Sequence, residues 1–283
     1  MQTITSLAEL RRTVEEIRSA DQHIGFVPTM GYLHDGHLSL IAASQAKCDV
    51  TVVSIFVNPT QFGPNEDLVS YRRDFLRDEQ LCRDRGVAIL FAPDAHDVYP
   101  SYFETFVEPG ALAKPLCGAF RPGHFRGVAT VVCKLFNMVQ PDVAFFGQKD
   151  FQQCAVVHRM VIDLNLPIEI VTVPTYREQD GLAMSSRNRY LSEEERQRAL
   201  AISRGLSAAL AEFISGERNV ENLIAVAKKH LGIVDRLEYL ELVDGETLKT
   251  ADSPLRRSAV LCVAAYVGST RLIDNVILTL PTR

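Results

Sequence analysis

The sequence predicts an α/β protein in two parts: a doubly wound parallel sheet, followed by a smaller α+β domain. Two patterns predict this division. Short β-rich runs alternate with amphipathic helical segments over residues 1–176, whereas the remainder carries two helical segments and then three adjacent strand-like runs. The length of 283 residues also suits one or two domains of about 150 residues each. We therefore predict domains at residues 1–176 and 177–283.

The first domain opens with a predicted helix. Ser6 and Glu9 have the spacing of a capping box, and apolar residues then recur at helical spacing to about residue 20. Five β-rich runs follow, at residues 24–28, 50–57, 87–91, 143–146 and 168–173. Helical patterns lie between most of them, at residues 38–46, 71–85, 128–139 and 151–164. Strands that alternate with helices favour parallel pairing with right-handed crossovers, which is a Rossmann-like arrangement.

The second domain has a different rhythm. Ser192 and Glu195 form another capping-box pattern, which starts a long helix that is predicted to end near residue 215. A further helical pattern covers residues 220–231. Strand-like runs then occupy residues 237–243, 259–267 and 272–279. Helices that are followed by adjacent strands favour a small antiparallel sheet.

Composition and missing motifs exclude several protein classes. The chain carries 30 Lys and Arg against 35 Asp and Glu, so its formal net charge is −5, which argues against binding nucleic acid by phosphate neutralisation. With 47% hydrophobic and 23% charged residues, the composition is that of a folded, water-soluble protein. Neither G-x-G-x-x-G nor G-x-x-x-x-G-K-[ST] occurs, so dinucleotide dehydrogenases and P-loop kinases lose their main support.

No targeting or membrane signal is recognisable in the sequence. The first 12 residues lack the basic flank, apolar core and cleavage site of a signal peptide. The most apolar stretch, residues 259–267, suits a buried strand better than a membrane span. The six cysteines are scattered, without a C-x-x-C pair, and are predicted to be reduced core residues. We therefore expect a cytoplasmic protein that has no membrane association.

Four polar loops follow predicted strands. In open α/β sheets, ligands bind beyond the carboxyl ends of the strands, where helix N-termini present their free N–H groups. The loops in question are residues 28–37, 58–63, 147–150 and 178–188. If these loops lie on one rim of the sheet, they form a single site.

His34 and His37 lie three residues apart at a predicted helix start, near the positive end of the helix dipole. Two imidazoles in this position can hydrogen-bond a triphosphate. Zinc ligation by His-x-x-His is an alternative, but no third ligand is evident and H-E-x-x-H is missing. Two surface histidines would be the simplest interpretation of this loop alone, whereas the other loops favour phosphate.

Two further loops carry cations and hydroxyls. Lys149 can place a compact charge beside anionic oxygens, and Asp150 can cap the helix that follows. Residues Met184-Ser-Ser-Arg187 offer two hydroxyls and a guanidinium, which suit departing phosphates. Each of these features is by itself more often an ordinary solvated loop.

Neutral amides follow the second predicted strand of the alternating series. Asn58 and Gln61 suit a hydroxyl or carboxylate of a small substrate, although an Asn-Pro turn explains them about as well. A further loop, Arg121-Pro-Gly-His-Phe-Arg-Gly127, precedes a predicted helix. Anion binding, positioning of a neighbouring loop, or a plain surface turn would each account for it.

Two of these loops resemble the signatures of a nucleotidyltransferase superfamily. His34-Asp-Gly-His37 resembles the HIGH motif, and Met184-Ser-Ser-Arg187 resembles a KMSKS-type motif. The ordered set of motifs narrows the resemblance to the pantothenate synthetase family and spans nearly the whole chain. The set is PTMG at 28–31, FVNPTQF at 56–62, RPGHFRGV at 121–128, GQKDFQQ at 147–153 and DGLAMSSRN at 180–188.

The resemblance implies an ATP-dependent ligase that joins pantoate to β-alanine and releases AMP and pyrophosphate, in pantothenate and coenzyme A synthesis. In this family ATP and pantoate first give an enzyme-bound pantoyl adenylate, whose carbonyl the amine of β-alanine then attacks. Mg²⁺ is the implied metal, and a homodimer is the implied assembly. The implied partners are therefore small molecules: ATP, pantoate and β-alanine.

The resemblance also implies the roles of individual residues. The expected ATP contacts are Met30, Gly31, Tyr32, Leu33, His34, Asp35, Gly36, His37, Gly147, Gln148, Lys149, Asp150, Tyr176, Met184, Ser185, Ser186 and Arg187. The expected catalytic residues among them are His34, His37, Lys149, Ser185, Ser186 and Arg187, and His37 resembles an acid-type catalyst on the leaving pyrophosphate. Gln61 and Gln153 are expected to bind pantoate with support from Asn58. Asp78 matches an acidic position linked to Mg²⁺, although a solvated helix face is the alternative.

Two departures from the family pattern stand out: Arg72 replaces a usual proline, and Tyr176 occupies an adenine-side position that is commonly aliphatic. Two other functions compete with the ligase. A related nucleotidyltransferase would act on a phosphorylated acceptor, which the neutral Gln61 and Gln153 do not favour. A nucleotide-binding regulator without turnover would not need His37, Lys149, Ser185 and Arg187 together.

Overall fold

The computed structural model describes residues 1–63, 68, 71 and 73–280, and its chain divides into two compact units. The first unit comprises Met1–Ala113, Arg121–Gly147 and Val156–Pro174, and the second comprises Lys114–Phe120, Gln148–Ala155 and Thr175–Arg283. The sequence-based domains were each one continuous stretch, whereas here two short segments from the first predicted domain, residues 1–176, belong to the second unit. The departure at Arg72 lies outside the described residues.

A six-stranded parallel sheet forms the first unit. Its strands are β1 (Gln2–Ile4), β2 (Ile24–Thr29), β3 (Val50–Ile55), β4 (Ile89–Phe91), β5 (Val143–Gly147) and β6 (Glu169–Val173). The order is β1-β4-β3-β2-β5-β6, and every pair is parallel. The order reverses between β2 and β5, the place where doubly wound sheets bind ligands. The predicted α/β fold class, with a Rossmann-like sheet, is confirmed.

Helices alternate with the strands of this sheet. Among the residues that the structure describes, the helices are α1 (Leu7–Ser19), α2 (Asp35–Lys47), α3 (Phe75–Asp84), α4 (Ala95–Val98), α5 (Cys117–Phe120), α6 (His124–Val139), α7 (Phe151–Asp163), α8 (Glu193–Ile214) and α9 (Val220–His230). The most extensively buried of those in the first unit is α6, whose Phe136 packs edge-to-face on Phe26 of β2 with ring centroids 6.3 Å apart. Close packing of this helix against β2 forms part of the core of the first unit.

The second unit contains a three-stranded antiparallel sheet, as predicted. Its strands β7 (Arg236–Asp244), β8 (Ala259–Val267) and β9 (Thr270–Leu278) pair in the order β7-β8-β9. One face of the sheet shares a core with α8 and α9, in which Leu206, Leu223 and Leu261 are almost fully buried. The predicted capping box is present at the start of α8, because Ser192 Oγ accepts from the Glu195 amide and the Ser192 amide donates to Glu195 Oε2.

Several element boundaries differ from the sequence prediction. Ser6 precedes α1 but makes no capping hydrogen bond with its side chain, and the Glu9 carboxylate accepts instead from Gln2 Nε2 at 3.1 Å. The predicted helix at 71–85 begins at Phe75, because Asp74 Oδ1 accepts from the Arg77 amide and so caps it. The strand β1 was not predicted, since its three residues are too short for a periodic pattern to emerge.

The cysteines are unpaired, as predicted. All six are free thiols, and Cys82, Cys117, Cys154 and Cys262 are buried. Burial raises the pKa of Cys82 to about 12, so this thiol stays protonated and inert. Within the described ranges, no helix combines the length and the apolar character needed to cross a membrane.

Candidate active site

The loop after β2 turns sharply before α2 begins. Gly31 has φ +82°, and a Cβ at this position would lie 3.0 Å from Ile55 Cγ2 and 3.1 Å from Asp78 Oδ2, so only glycine fits. Asp78, on α3, holds the next two residues: its Oδ2 accepts from the Tyr32 amide at 2.6 Å and its Oδ1 accepts from the Leu33 amide at 2.7 Å. The backbone of the histidine-containing loop is therefore fixed by a carboxylate from a neighbouring helix.

Asp78 is 1% exposed, so the solvated helix face that the sequence left open does not apply. Burial raises the pKa of its carboxyl, whereas the Leu33 N–H and the Arg77 charge oppose this rise. Arg77 also donates to the Leu33 carbonyl at 3.0 Å, which ties the same loop a second time. These contacts account for Asp78 as a residue that positions the loop.

A protein-only metal cage is not formed by the residues that the structure describes, where no three His, Cys, Asp or Glu side chains cluster suitably. A carboxylate offers about four acceptor positions, and Asp78 uses two of them for backbone N–H groups. Asp78 could therefore supply at most one protein contact to a metal ion, whose other ligands would be phosphate oxygens and water. This is the usual way in which proteins bind Mg²⁺.

Replacing Asp78 by asparagine separates these two roles. The amide has one oxygen for two N–H groups, so one buried donor loses its partner, and we expect a loss of about 1–3 kcal/mol in the free energy of unfolding. Urea denaturation measures this loss, and Asp84→Asn on the exposed end of α3 is the control. Unchanged stability with a higher Mg²⁺ requirement for activity would instead indicate a direct metal contact.

His34 and His37 lie together at the start of α2. The His34 amide donates to Nδ1 of His37 at 3.3 Å, and the two rings stack with their centroids 4.0 Å apart. Because Nδ1 accepts, a neutral His37 ring carries its proton on Nε2, where it can donate to an anion. Asp35 and Gly36 form the first turn of α2, whose dipole adds positive potential beside the rings.

Asn58 is the centre of a buried hydrogen-bond network after β3, and only 1% of its surface is exposed. Its Nδ2 donates to Gln61 Oε1 and to the Gly127 carbonyl, each at 3.1 Å. Its Oδ1 accepts from the Tyr99 hydroxyl at 2.8 Å and from Thr60 Oγ1 at 3.0 Å. The network uses the amide of Asn58 internally, so Asn58 supports the turn that carries Gln61.

Gln61 ends a 3₁₀ turn at Pro59–Gln61 and is half-buried. Its Nε2 lies 3.1 Å from Met30 Sδ, so the structure brings the predicted substrate residue Gln61 to the predicted ATP residue Met30 within the first unit. The Gln61 amide therefore lies beside the loop after β2.

Arg121 and the first turn of α6 hold the same turn from the other side. His124 Nδ1 lies 2.9 Å from the Gln61 carbonyl oxygen, and Arg121 Nη2 donates to that oxygen at 3.4 Å. A Cβ on Gly127 would lie 2.4 Å from the Thr60 carbonyl oxygen. Of the three interpretations of this segment, positioning of the neighbouring loop accounts for these contacts.

Gly127→Ala is therefore expected to displace the Gln61 turn. The added methyl group has no room against the backbone of Thr60, and overpacking of this kind costs about 1–3 kcal/mol. We expect a raised KM for the substrate that Gln61 binds, measured by steady-state kinetics beside a thermal unfolding curve. Gly110→Ala is the matched control, because a Cβ there meets nothing within 4 Å. Equal kinetics of both variants would contradict the positioning role.

Lys149 belongs to the second unit, in a 3₁₀ turn at Gln148–Asp150 directly after Gly147, the last residue of β5. Its side chain is 18% exposed, and its Nζ lies 3.6 Å from Asp150 Oδ2. Gln153 follows on α7 and is half-buried. The neighbouring Gln152 is buried, and its amide binds the Pro115 carbonyl and the Cys117 N–H.

The loop at residues 184–187 is tied at both ends. Before it, Arg177 and Ala183 form an isolated antiparallel bridge. After it, the buried Asn188 donates to Glu178 Oε1 at 2.6 Å and to the Ala183 carbonyl at 3.0 Å. The three predicted phosphate-contacting residues of this loop, Ser185, Ser186 and Arg187, therefore lie between two anchored positions.

Within this loop, Ser185 precedes a 3₁₀ turn at Ser186–Tyr190, and its Oγ accepts from the Arg187 amide at 3.3 Å. The Met184 amide donates to the Tyr176 carbonyl at 2.9 Å, while the Tyr176 side chain is 42% exposed. The unusual residue at position 176 is thus fixed through its backbone, which does not depend on the side chain.

An ion-pair network on α8 fastens the start of the same loop. Arg196 donates to Glu178 Oε2 at 2.6 Å and to Asp180 Oδ2 at 2.7 Å. Burial alone would raise the pKa of Asp180, but the Leu182 N–H and the Arg196 guanidinium lower it below its ordinary value. Sequence reasoning did not identify Arg196, because an arginine on a helix gives no signal of its distant partners.

The chain is similar to known proteins over nearly its whole length. A family model described as pantoate-beta-alanine ligase matches residues 2–277. The chain is 75% identical over 279 residues to pantothenate synthetase 1 of Bradyrhizobium diazoefficiens, with 99% of each chain covered. It superposes on the crystal structure of pantothenate synthetase from Thermus thermophilus with a TM-score of 0.93 and 45% identity, over 99% of this chain and 100% of that one.

A third relative was solved with small molecules. The pantoate-beta-alanine ligase of Francisella tularensis, complexed with beta-gamma ATP and beta-alanine, matches with a TM-score of 0.77 and 33% identity over 100% of both chains.

The parallel sheet and these matches define an ATP-using ligase. The chain belongs to the pantoate–β-alanine ligase family, whose curated relatives are named pantothenate synthetase. The resemblance drawn from the sequence motifs is thereby confirmed. An ATP-using ligase family also implies a divalent metal ion.

Proposed function

We propose that the chain condenses pantoate with β-alanine through a pantoyl adenylate, with ATP as the source of the adenylyl group. The observation that carries the proposal is the stacked pair His34 and His37 at the start of α2, on a loop that Asp78 fixes. Such an arrangement offers N–H donors and positive potential to a polyphosphate. Membership of the ligase family supplies the reaction that such a site would serve.

In the first step, a carboxylate oxygen of pantoate attacks the α-phosphorus of ATP. The new P–O bond forms as the bond to the β-phosphate oxygen breaks, and pyrophosphate leaves with the bonding electrons. The negative charge on the phosphates grows at this point, so fixed donors and cations accelerate the step. In the second step, the amine of β-alanine attacks the acyl carbonyl, AMP leaves, and the amine nitrogen loses a proton.

Residues of the first unit are proposed to act on both substrates of the first step. His37 donates from Nε2 to the departing pyrophosphate, and His34 contacts the nucleotide beside it. The Gln61 amide, whose position Asn58 fixes, binds pantoate and lies near β-alanine. An amide suits the neutral hydroxyls and the single carboxylate of pantoate better than it suits a phosphorylated acceptor.

Residues of the second unit are proposed to neutralise phosphate charge and to bind pantoate. Lys149, Ser185, Ser186 and Arg187 would contact phosphate oxygens, because an ammonium, two hydroxyls and a guanidinium are the donors that these oxygens prefer. Gln153 on α7 would contact pantoate. The remaining members of the predicted ATP set would also contact the nucleotide, and Tyr176 among them would do so through its backbone.

Mg²⁺ is the divalent ion that we propose for this reaction, carried by the phosphates of ATP. When bound it would supply charge neutralisation on the phosphate oxygens. Asp78 is the carboxylate that could reach it, and otherwise Asp78 positions Tyr32 and Leu33. A homodimer remains a prediction from the family resemblance, and a cytoplasmic location remains a prediction from the sequence.

The proposed function is tested by supplying ATP, Mg²⁺, pantoate and β-alanine and measuring pantothenate, AMP and pyrophosphate. Equimolar formation of the three products, with none formed when any one substrate is omitted, is the expected result. AMP transfer onto a phosphorylated acceptor, with no product from pantoate, would favour a related nucleotidyltransferase. ATP binding without pyrophosphate release under either condition would favour a regulator.

A further inference from the structure

Two adjacent polar side chains of β9, Asp274 and Asn275, are buried within the second unit, with 4% and 2% of their surface exposed. Successive residues of a strand point to opposite faces of the sheet, and the neighbours on β8 are Val263 and Cys262. A buried carboxylate and a buried amide are costly unless their hydrogen bonds are made. The partners of these side chains therefore show what they hold in place.

Asn275 holds the turn that carries Lys149. Its Nδ2 donates to the Gln148 carbonyl at 2.8 Å and to the Lys149 carbonyl at 3.0 Å. Its Oδ1 accepts from Gln148 Nε2 at 3.3 Å. Both hydrogens of one buried amide thus go to two consecutive carbonyls of the turn, which fixes the backbone from which the Lys149 side chain extends.

Asp274 holds the start of the loop at residues 184–187 through Arg177. The pair is bidentate: Arg177 Nη1 donates to Asp274 Oδ2 at 2.7 Å and Nη2 donates to Oδ1 at 3.1 Å. Arg177 Nη1 also donates to the Gly181 carbonyl at 3.2 Å, and the Arg177 backbone bridges to Ala183, directly before the loop. A planar guanidinium fork fixes orientation as well as distance.

A hydrogen bond links the two anchors. The backbone N–H of Asn275 donates to Asp274 Oδ1 at 2.8 Å. The carboxylate that orients Arg177 is therefore held by the backbone of the residue that orients Lys149. We propose that Asp274 and Asn275 are positioning residues, which keep Lys149 and the loop at 184–187 in their phosphate-contacting geometry. This inference rests on the proposed function, because the proposed function assigns phosphate contacts to Lys149 and to the loop at 184–187.

The inference predicts a specific kinetic defect. Lys149 and residues 184–187 are assigned to phosphate oxygens, and pyrophosphate leaves in the first step of the reaction. The second step, attack of β-alanine on the acyl carbonyl, does not involve the departing pyrophosphate. Loss of either anchor is therefore expected to slow adenylate formation roughly 10- to 100-fold, the effect of a small misplacement, while aminolysis changes much less.

The experiment measures the two half-reactions separately in the full-length chain. Pantoate-dependent exchange of labelled pyrophosphate into ATP reports the first, and conversion of synthetic pantoyl adenylate with β-alanine reports the second. The variants are Asn275→Ala, the isosteric Asn275→Asp, Asp274→Asn, and Arg177→Met. Asp274→Asn removes the buried charge together with the ion pair, whereas Arg177→Met leaves the buried carboxylate unpaired, so the melting temperature of each variant is measured beside its kinetics. Thr270→Val is the matched control, since it changes another buried polar residue of β9.

The expected result is a selective loss of exchange in each of the four variants and no loss in the control Thr270→Val, at melting temperatures comparable to that of the unmodified chain. Asp274→Asn and Arg177→Met should also be non-additive when combined, because they break one ion pair. Equal losses in both half-reactions, or losses no larger than that of Thr270→Val, would overturn the positioning role. If the unmodified chain shows no exchange, the proposed function itself fails. This outcome requires no variant, so it is distinguishable from failure of the positioning role.

Discussion

Replacing His37 by alanine is expected to lower pantoate-dependent pyrophosphate exchange by about 100-fold or more while the fold stays intact. A fixed hydrogen-bond donor aimed at oxygens whose negative charge grows in the transition state contributes about 100- to 1,000-fold in rate. In this chain the ring is oriented for that task, because Nδ1 accepts the His34 N–H and the stacked His34 ring restricts its rotation. Exchange kinetics at saturating ATP and pantoate measure the effect.

Two further substitutions separate catalysis from helix capping. His37→Asn places an amide oxygen near the position of Nδ1, so the acceptor for His34 is retained while the distal donor is lost. We expect this variant to match the wild-type melting temperature and to be as slow as His37→Ala. His96→Ala, on the surface of α4, is the control for removing an exposed histidine. Full activity of His37→Asn would contradict the proposed role of His37 Nε2 as the hydrogen-bond donor to pyrophosphate.

Lys149→Met is the second substitution with a large expected effect. Methionine keeps most of the side-chain length and removes the charge, so phosphate oxygens lose one cationic donor during the step in which their charge grows. Removal of one such donor typically costs about 100- to 1,000-fold in kcat, and we expect a loss in that range for adenylate formation. The KM for ATP should rise far less, because the contact is strongest in the transition state.

The control for this prediction is Lys229→Met, which removes an exposed lysine from α9 of the same unit. Lys149→Arg provides a second comparison, because it retains the charge but changes the shape of the donor group. We expect partial activity in Lys149→Arg and full activity in Lys229→Met. If Lys149→Met were as active as Lys229→Met, a phosphate contact at Lys149 would be untenable.

The periodic elements of the fold could be predicted from the sequence because their signals are local. The apolar runs that became β2, β3, β5 and β6, and the capping box of Ser192 and Glu195, depend on residues a few positions apart. The capping pattern of Ser6 is not formed: its side chain makes no capping hydrogen bond, and the Glu9 carboxylate accepts from Gln2 instead. A short sequence pattern indicates which hydrogen bonds are possible, but it does not determine which of them form in the folded chain.

Elements that depend on distant partners could not be predicted. The three residues of β1 form a strand because they pair with β4, some 87 residues further along the chain. The segments Lys114–Phe120 and Gln148–Ala155 belong to the second unit through contacts that no local pattern carries, such as the amide of Gln152 on Pro115 and Cys117. Long-range pairing of this kind leaves no periodic trace in the sequence.

The candidate site divides in the same way. The polar loops and their chemical groups were visible in the sequence, and the supporting role of Asn58 was implied by the family resemblance, whereas most of the residues that position the other loops were not visible. Asp78 was expected as a metal contact, and the structure gives it two backbone N–H groups to hold. Asn275 had the pattern of an ordinary strand residue, and its amide turned out to hold the Lys149 turn.

The measurement that tests the account most directly is exchange of labelled pyrophosphate into ATP, with Mg²⁺ and pantoate present and β-alanine left out. The account predicts that label enters ATP only when pantoate is present, because formation of the pantoyl adenylate is reversible and releases pyrophosphate. Exchange that proceeds equally without pantoate, or no exchange by a chain that still binds ATP, would contradict the adenylate route and the residue roles derived from it.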